Sequence, residues 1–177
     1  MNEENEIESL LDKELPIHIE IRGSSIEIKK LECGMIQNSL CNVLTRDEYL
    51  YIGQGISPVN NQYKCKFVKG GMPNCYEGAL SNVLGASLSK KKRRYIGLVS
   101  ENEFLHDMNT LGNINANDLL LYIIVMNEKN DLITNYTNSL GYEVIPFKED
   151  AVEDGVLKKI IDNKKKTIVL IYKESRQ

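Results

Sequence analysis

The stretch Arg93-Arg94-Tyr95-Ile96-Gly97-Leu98-Val99-Ser100-Glu101-Asn102-Glu103-Phe104-Leu105 decides the fold. Tyr95–Val99 is apolar at successive positions instead of alternating with polar residues, the pattern of a strand covered on both faces. Ser100-Glu101-Asn102-Glu103 is an S-x-x-E capping box, so the strand passes straight into a helix. Phe104, Leu105, Met108 and Leu111, with Ile114 beyond them, recur at helical spacing.

The same alternation continues on both sides. Upstream, Leu80, Val83, Leu84, Ser87 and Leu88 mark one face of a helix. Downstream, Leu119–Met126 reads as a strand centred on Ile123, Ile124 and Val125. Leu132, Ile133, Tyr136 and Leu140 give a helix that Gly141 closes as its C′ residue. Glu143–Ile145 reads as a short strand stopped by Pro146, Val152 to Ile161 as a helix, and Thr167–Tyr172 as the last strand. Strand-helix alternation with right-handed crossovers predicts an α/β fold: a doubly wound, mostly parallel sheet with helices on both faces.

The first 78 residues are less regular. Glu6–Leu15 reads as a helix, and Ile17, Ile19 and Ile21 alternate as in an edge strand or hairpin arm. A helix is expected from about Met35, strands over Asp47–Ile52 and Lys64–Val68, and a loop over Gly53–Gln62. Residues 1–30 are expected to pack on a single domain spanning residues 31–177.

Composition narrows the function classes. With 42% hydrophobic and 27% charged residues the chain can build a core, which argues against wholesale disorder. A net charge of −3 argues against a general nucleic-acid binder. The longest apolar run, Leu119–Met126, falls far short of the roughly 18 residues that span a bilayer. The acidic start Met1–Glu6 lacks a basic n-region and an apolar h-region, so a cytoplasmic protein is expected. Cys33, Cys41, Cys65 and Cys75 include no CxxC pair, and are expected to be reduced, mostly buried thiols.

In open α/β sheets, ligands bind beyond the carboxyl ends of the strands. That rule selects Ser100–Glu103 and Asn127–Asn130. It also assigns the basic runs Lys90–Arg94 and Lys164–Lys166 to the opposite rim, as solvated connectors.

Several motifs, in order, resemble the cofactor-binding module of thiamine diphosphate enzymes, the family of 2-oxoacid decarboxylases and acetolactate-type synthases. Sulfopyruvate and phosphonopyruvate decarboxylases are the closest comparison. Gly70-Gly71-Met72 is similar to the family's GGM turn, and Ala79-Leu80-Ser81-Asn82-Val83-Leu84-Gly85-Ala86 to its ALPAALGA helix. Residues 93–104 resemble RRVVALVGDGSF. Leu140-Gly141 and the Thr167–Tyr172 strand match the close of the module.

The resemblance implies thiamine diphosphate and Mg²⁺ as cofactors. Mg²⁺ would be held by Glu101, by Glu128 27 positions later, and by the Asn130 carbonyl. It further implies cofactor contacts from Gly71, Met72, Ser100, Asn102, Glu103 and Asn127. It places no catalytic residue on this chain, because the glutamate that activates the thiazolium belongs to a pyrimidine-binding module. The implied partner is therefore a pyrimidine-module subunit or a second copy of the chain.

The sequence departs from the family at these same positions. Glu101 and Glu128 replace an Asp and an Asn, and Ser100 and Asn102 stand where the family has glycines. A covering segment of about ten residues is missing after Asn130, which runs almost directly into the Leu132 helix. Plainer readings stand beside the cofactor reading. Glu103 is then a helix cap, Glu101 and Glu128 are solvent-facing strand-end residues, His106 is a surface residue and Met72 fills a gap. Three functions follow: a cofactor-binding decarboxylase subunit, a non-catalytic structural or regulatory protein that keeps the fold, or a small-molecule-binding α/β domain.

Overall fold

The computed structural model describes residues 18–22, 25–29, 34–57, 63–70, 78–89, 92–113, 118–127 and 129–172. The expected helix Glu6–Leu15 lies outside them. Strands β1 (His18–Arg22) and β2 (Ser25–Lys29) pair antiparallel, His18 opposite Lys29 and Arg22 opposite Ser25. They form a two-stranded sheet of their own, so the alternating segment is a hairpin arm and not an edge of the main sheet.

The main sheet holds β3 (Tyr49–Ile52), β4 (Lys66–Lys69), β5 (Tyr95–Ser100), β6 (Leu120–Met126), β7 (Glu143–Lys148) and β8 (Thr167–Tyr172). Its order is β4-β3-β5-β6-β8-β7, and every neighbouring pair is parallel. The helices are α1 (Gly34–Val43), α2 (Ala79–Ser87), α3 (Glu101–Asp107), α4 (Asp131–Ser139) and α5 (Asp154–Asp162). A 3₁₀ turn, Met108–Gly112, extends α3.

Successive strand residues face opposite sides, and two cores result. On one side Ile36 and Leu40 of α1 and Leu157, Ile160 and Ile161 of α5 pack on Leu50, Ile96, Leu98 and Ile123. On the other, Leu80 and Val83 of α2, Phe104 of α3 and Ile133 of α4 pack on Tyr51, Val99, Tyr122 and Ile124. Each of these large side chains contributes roughly 1.5–3 kcal/mol on burial, which is why the central strands needed no polar face.

Three expectations are corrected. β7 runs through Pro146 to Lys148, because among the described strands it is an edge bonded only to β8, and its open side asks no N–H of the proline. Leu88, expected on the buried face of α2, is 49% exposed just past the helix end. Arg94 is not a solvated connector. It is buried where β5, β6 and β8 begin, and its guanidinium donates to the carbonyls of Asp118 and Lys165, both at 2.7 Å, and to Thr167 Oγ1 at 3.2 Å. The expected C′ role of Gly141 holds, at φ +76°.

The sheet order sets the functional geometry. From β3 the chain moves to β4 on one side, then crosses back to β5 on the other. The carboxyl ends of β3 and β5 therefore flank a topological switch point, where such sheets place ligands.

Candidate functional site

At the carboxyl rim the chain runs past each strand end and stays bonded to its neighbour. The Gly53 N–H donates to the Leu98 carbonyl at 2.8 Å, and the Gly70 N–H to the Ile52 carbonyl at 2.7 Å. The loop after β3 is pinned by the buried Ile56, whose N–H donates to the Gly53 carbonyl, and by the Gln37 side-chain amide on the Ser57 carbonyl.

The opposite wall is the start of α3. Ser100 ends β5 in an extended conformation, and its Oγ accepts the Glu103 N–H at 3.4 Å. The Glu103 carboxylate turns back and accepts the Ser100 N–H at 2.9 Å and its Oγ–H at 2.8 Å. The expected capping box is formed. Unlike an ordinary surface cap, Glu103 is only 4% exposed, because its carboxylate sits in the switch-point crevice. Gly53 lies so close that a Cβ there would fall 2.5 Å from both carboxylate oxygens; at Gly55 it would fall 2.7 Å from Ser100 Oγ. A side chain at either position would push the Glu103 carboxylate or the Ser100 hydroxyl aside.

Glu101, half-buried, reaches sideways from β5 to β6, where its carboxylate accepts the Asn127 N–H at 3.1 Å. The two rim segments selected by the strand-end rule therefore touch. Glu128, Gly71 and Met72 lie outside the described residues. Asn102 is exposed on the first turn of α3. Asn130 caps α4: its Oδ1 accepts the Leu132 and Ile133 N–H groups at 3.1 and 3.4 Å, and its carbonyl accepts the Thr134 N–H at 3.4 Å. Lys129 and Asp131 form an exposed ion pair at 3.2 Å.

One rim residue escaped the motif reading. Tyr172 ends β8 beside Thr134, Lys129, Asp131 and Glu101, and burial raises its phenol above the ordinary tyrosine value. The strand-end rule, applied to the last strand, points to it.

Whether these residues fit a Mg²⁺-diphosphate group follows from the crevice. The Ser100 N–H and Oγ–H, the donors an anion would use, already serve Glu103, and the space before Gly53 holds its carboxylate. Among the described residues, no group of three or more His, Cys, Asp or Glu side chains could hold a metal ion. With the Glu103 side chain in place, the crevice does not fit a diphosphate.

No family model matches the chain, and none of the curated proteins matches it. A solved structure does: a Mycobacterium smegmatis protein described as a thiamin diphosphate-dependent enzyme, at a TM-score of 0.56 and 12% identity. The match covers 80% of this chain and 31% of that one, so the chain spans about a third of that protein. The likeness is one of fold. It agrees with the α/β architecture that the sequence predicts. No helix among the described residues is long and apolar enough to cross a membrane.

Proposed function

We propose that this chain is a thiamine-diphosphate-module-like subunit, related to 2-oxoacid decarboxylases and carboligases, that keeps the fold without holding the cofactor and serves as a structural or regulatory partner of another chain. One observation carries this reading: the chain's own Glu103 carboxylate fills the crevice at the switch point. A diphosphate brought there would meet a buried carboxylate and find its donors taken, and two like charges in a poorly solvated cleft repel strongly. Titration calorimetry of the purified chain with thiamine diphosphate and Mg²⁺ tests it. The expected result is no saturable heat. Stoichiometric, Mg²⁺-dependent binding would overturn the reading.

A second reading rests on the bond between Glu101 and the Asn127 N–H, which joins the two segments of the family's metal-binding spacing. On it, Glu101, Glu128 and Asn130 anchor Mg²⁺ in the cofactor-bearing half of a two-chain decarboxylase. The activating carboxylate then comes from a pyrimidine-module subunit. This reading requires Glu103 to leave the crevice, and on it Glu101→Asp with Glu128→Asn strengthens thiamine diphosphate binding. On the first reading that double change has no effect, because the obstruction is Glu103. On both readings the isolated chain turns over no 2-oxoacid.

A further inference from the structure

We propose that the amino rim of the main sheet is a docking surface for an acidic segment of a partner protein, one that carries an apolar residue among its carboxylates. This goes beyond the functional reading and concerns the rim opposite the crevice, so it stands whether or not a cofactor binds. Two basic runs far apart in sequence become one surface there. Lys92–Arg94 leads into β5 and Lys164–Lys166 into β8, with only β6 between the two strands. The buried Arg94 guanidinium joins the runs by donating to the Lys165 carbonyl, 71 positions away. The Arg94 carbonyl in turn accepts the Tyr49 N–H, and the Lys166 carbonyl accepts the Glu143 N–H. The backbone under both runs is fixed, so the surface is organised before anything docks on it.

The charge it presents is unspent. Lys92, Lys164 and Lys165 are exposed and Arg93 is half-buried, and among the described residues none of the four forms an ion pair. Arg93 Nε is buried with no hydrogen-bond partner, a costly state that an outside carboxylate would relieve. Lys166, by contrast, is used within the fold: its Nζ donates to the Leu140 carbonyl at 2.8 Å and lies 4.8 Å over the Tyr142 ring. Asp118 and Glu143 are the acids beside the runs, and Glu143 accepts the Asn163 amide at 3.2 Å. The net charge of −3 conceals this patch, because the acids gather at the other rim. There Glu101, Asp131, Asp150 and Glu153 stand at the starts of helices or turns that follow strand ends.

Two features select an acidic protein segment over a nucleic acid. The tyrosines beside the runs, Tyr95 and Tyr142, are buried, so the patch offers no aromatic face on which a base could stack. Leu88 is exposed just past α2, four positions before Lys92, and supplies an apolar contact at the edge of the basic surface.

The test uses the full chain and a labelled glutamate-rich peptide containing one leucine, with binding followed by fluorescence anisotropy at low and at physiological salt. A single-stranded oligonucleotide of equal charge is the comparison. One variant carries Lys92→Glu with Arg93→Glu, a second Lys164→Glu with Lys165→Glu. A third, Lys129→Glu with Lys148→Glu, reverses the same charge on the carboxyl rim. The expected result is salt-sensitive peptide binding by wild type, tighter than that of the oligonucleotide. Each amino-rim variant lowers it about tenfold and the carboxyl-rim variant leaves it unchanged. Absence of peptide binding would overturn the proposal, as would tighter binding of the oligonucleotide or an equal loss in the carboxyl-rim variant. Loss from only one of the two runs would overturn the joined surface. Self-association of wild type that the amino-rim variants abolish would make the occupant a second copy and overturn the partner assigned here. Uptake of thiamine diphosphate with Mg²⁺ by wild type, which overturns the functional reading, changes none of these outcomes.

Discussion

Arg94→Met keeps an apolar stem of similar length but removes the guanidinium that ties the starts of β5, β6 and β8 together. The Asp118 carbonyl and the Thr167 hydroxyl oxygen then lose this donor at the strand starts, while the Lys165 carbonyl keeps the Thr167 Oγ–H at 2.8 Å. Losing these bonds to a charged, buried guanidinium is expected to cost about 1–3 kcal/mol. For a chain of this length, that lowers Tm by roughly 3–10 °C, measurable by calorimetry. Burial holds the Arg94 guanidinium down to about 10, partly offset by Asp118 and Glu143, so it stays charged at neutral pH. From sequence, Arg94 was one letter in a run of five basic residues. Nothing in that run separates Arg94, folded under the sheet, from Lys92, which is exposed two residues before it.

Cys65 gives a second test at this scale. Burial pushes its thiol up to about 11 from an ordinary 9.0, with Glu48 and Cys41 adding to the shift and backbone N–H groups opposing it. A thiol whose folded pKa is raised contributes stability in full below pH 9, and loses it as pH climbs toward 11. The stability gap between wild type and Cys65→Ala is therefore expected to narrow by about 2 kcal/mol between pH 8 and pH 11 in urea melts. At pH 8 Cys65 is also expected to react slowly with iodoacetamide, since the thiolate is the nucleophile.

Among the elements, α2 shows how local signals are completed from a distance. Its N-cap is Gly78, which has no side chain to satisfy the first turn. Asp107, at the end of α3, takes that role: it accepts the Ser81 N–H at 2.7 Å and the Ser81 Oγ–H at 2.8 Å. Asp107→Ala is expected to cost about 1 kcal/mol, the usual worth of a cap, with α2 amides exchanging faster in hydrogen-exchange measurements. The α3 cap, by contrast, was legible from Ser100 and Glu103 alone, because a capping box lies within four consecutive residues. The central strands β5, β6 and β8 were legible for a similar reason, since continuous apolar runs have few other uses. The passage of β7 through Pro146 was not, because a proline stops a strand only when both its sides are bonded, and edge position is a property of the sheet.

At the scale of the whole molecule, strand identity and parallel direction could be argued from sequence, whereas the order β4-β3-β5-β6-β8-β7 came from the structure. That order places the site, since it brings the loop after β3 against the start of α3. The rim segments Ser100–Glu103 and Asn127–Asn130 could be selected in advance because each follows a recognisable strand. The burial of Glu103 could not, because its other wall, Gly53 to Gly55, lies nearly fifty residues earlier in a stretch without strong periodicity. A capping glutamate and a crevice-filling glutamate have the same sequence signature, and only the facing loop distinguishes them.

The most direct measurement is a crystal structure of the wild-type chain grown in millimolar thiamine diphosphate and Mg²⁺. The expected result is the Glu103 carboxylate in the crevice, accepting the Ser100 N–H at about the present 2.9 Å, with no diphosphate between Gly53 and Ser100. Diphosphate density in that crevice, with Glu103 turned out of it and a metal ion bound by Glu101, would contradict it.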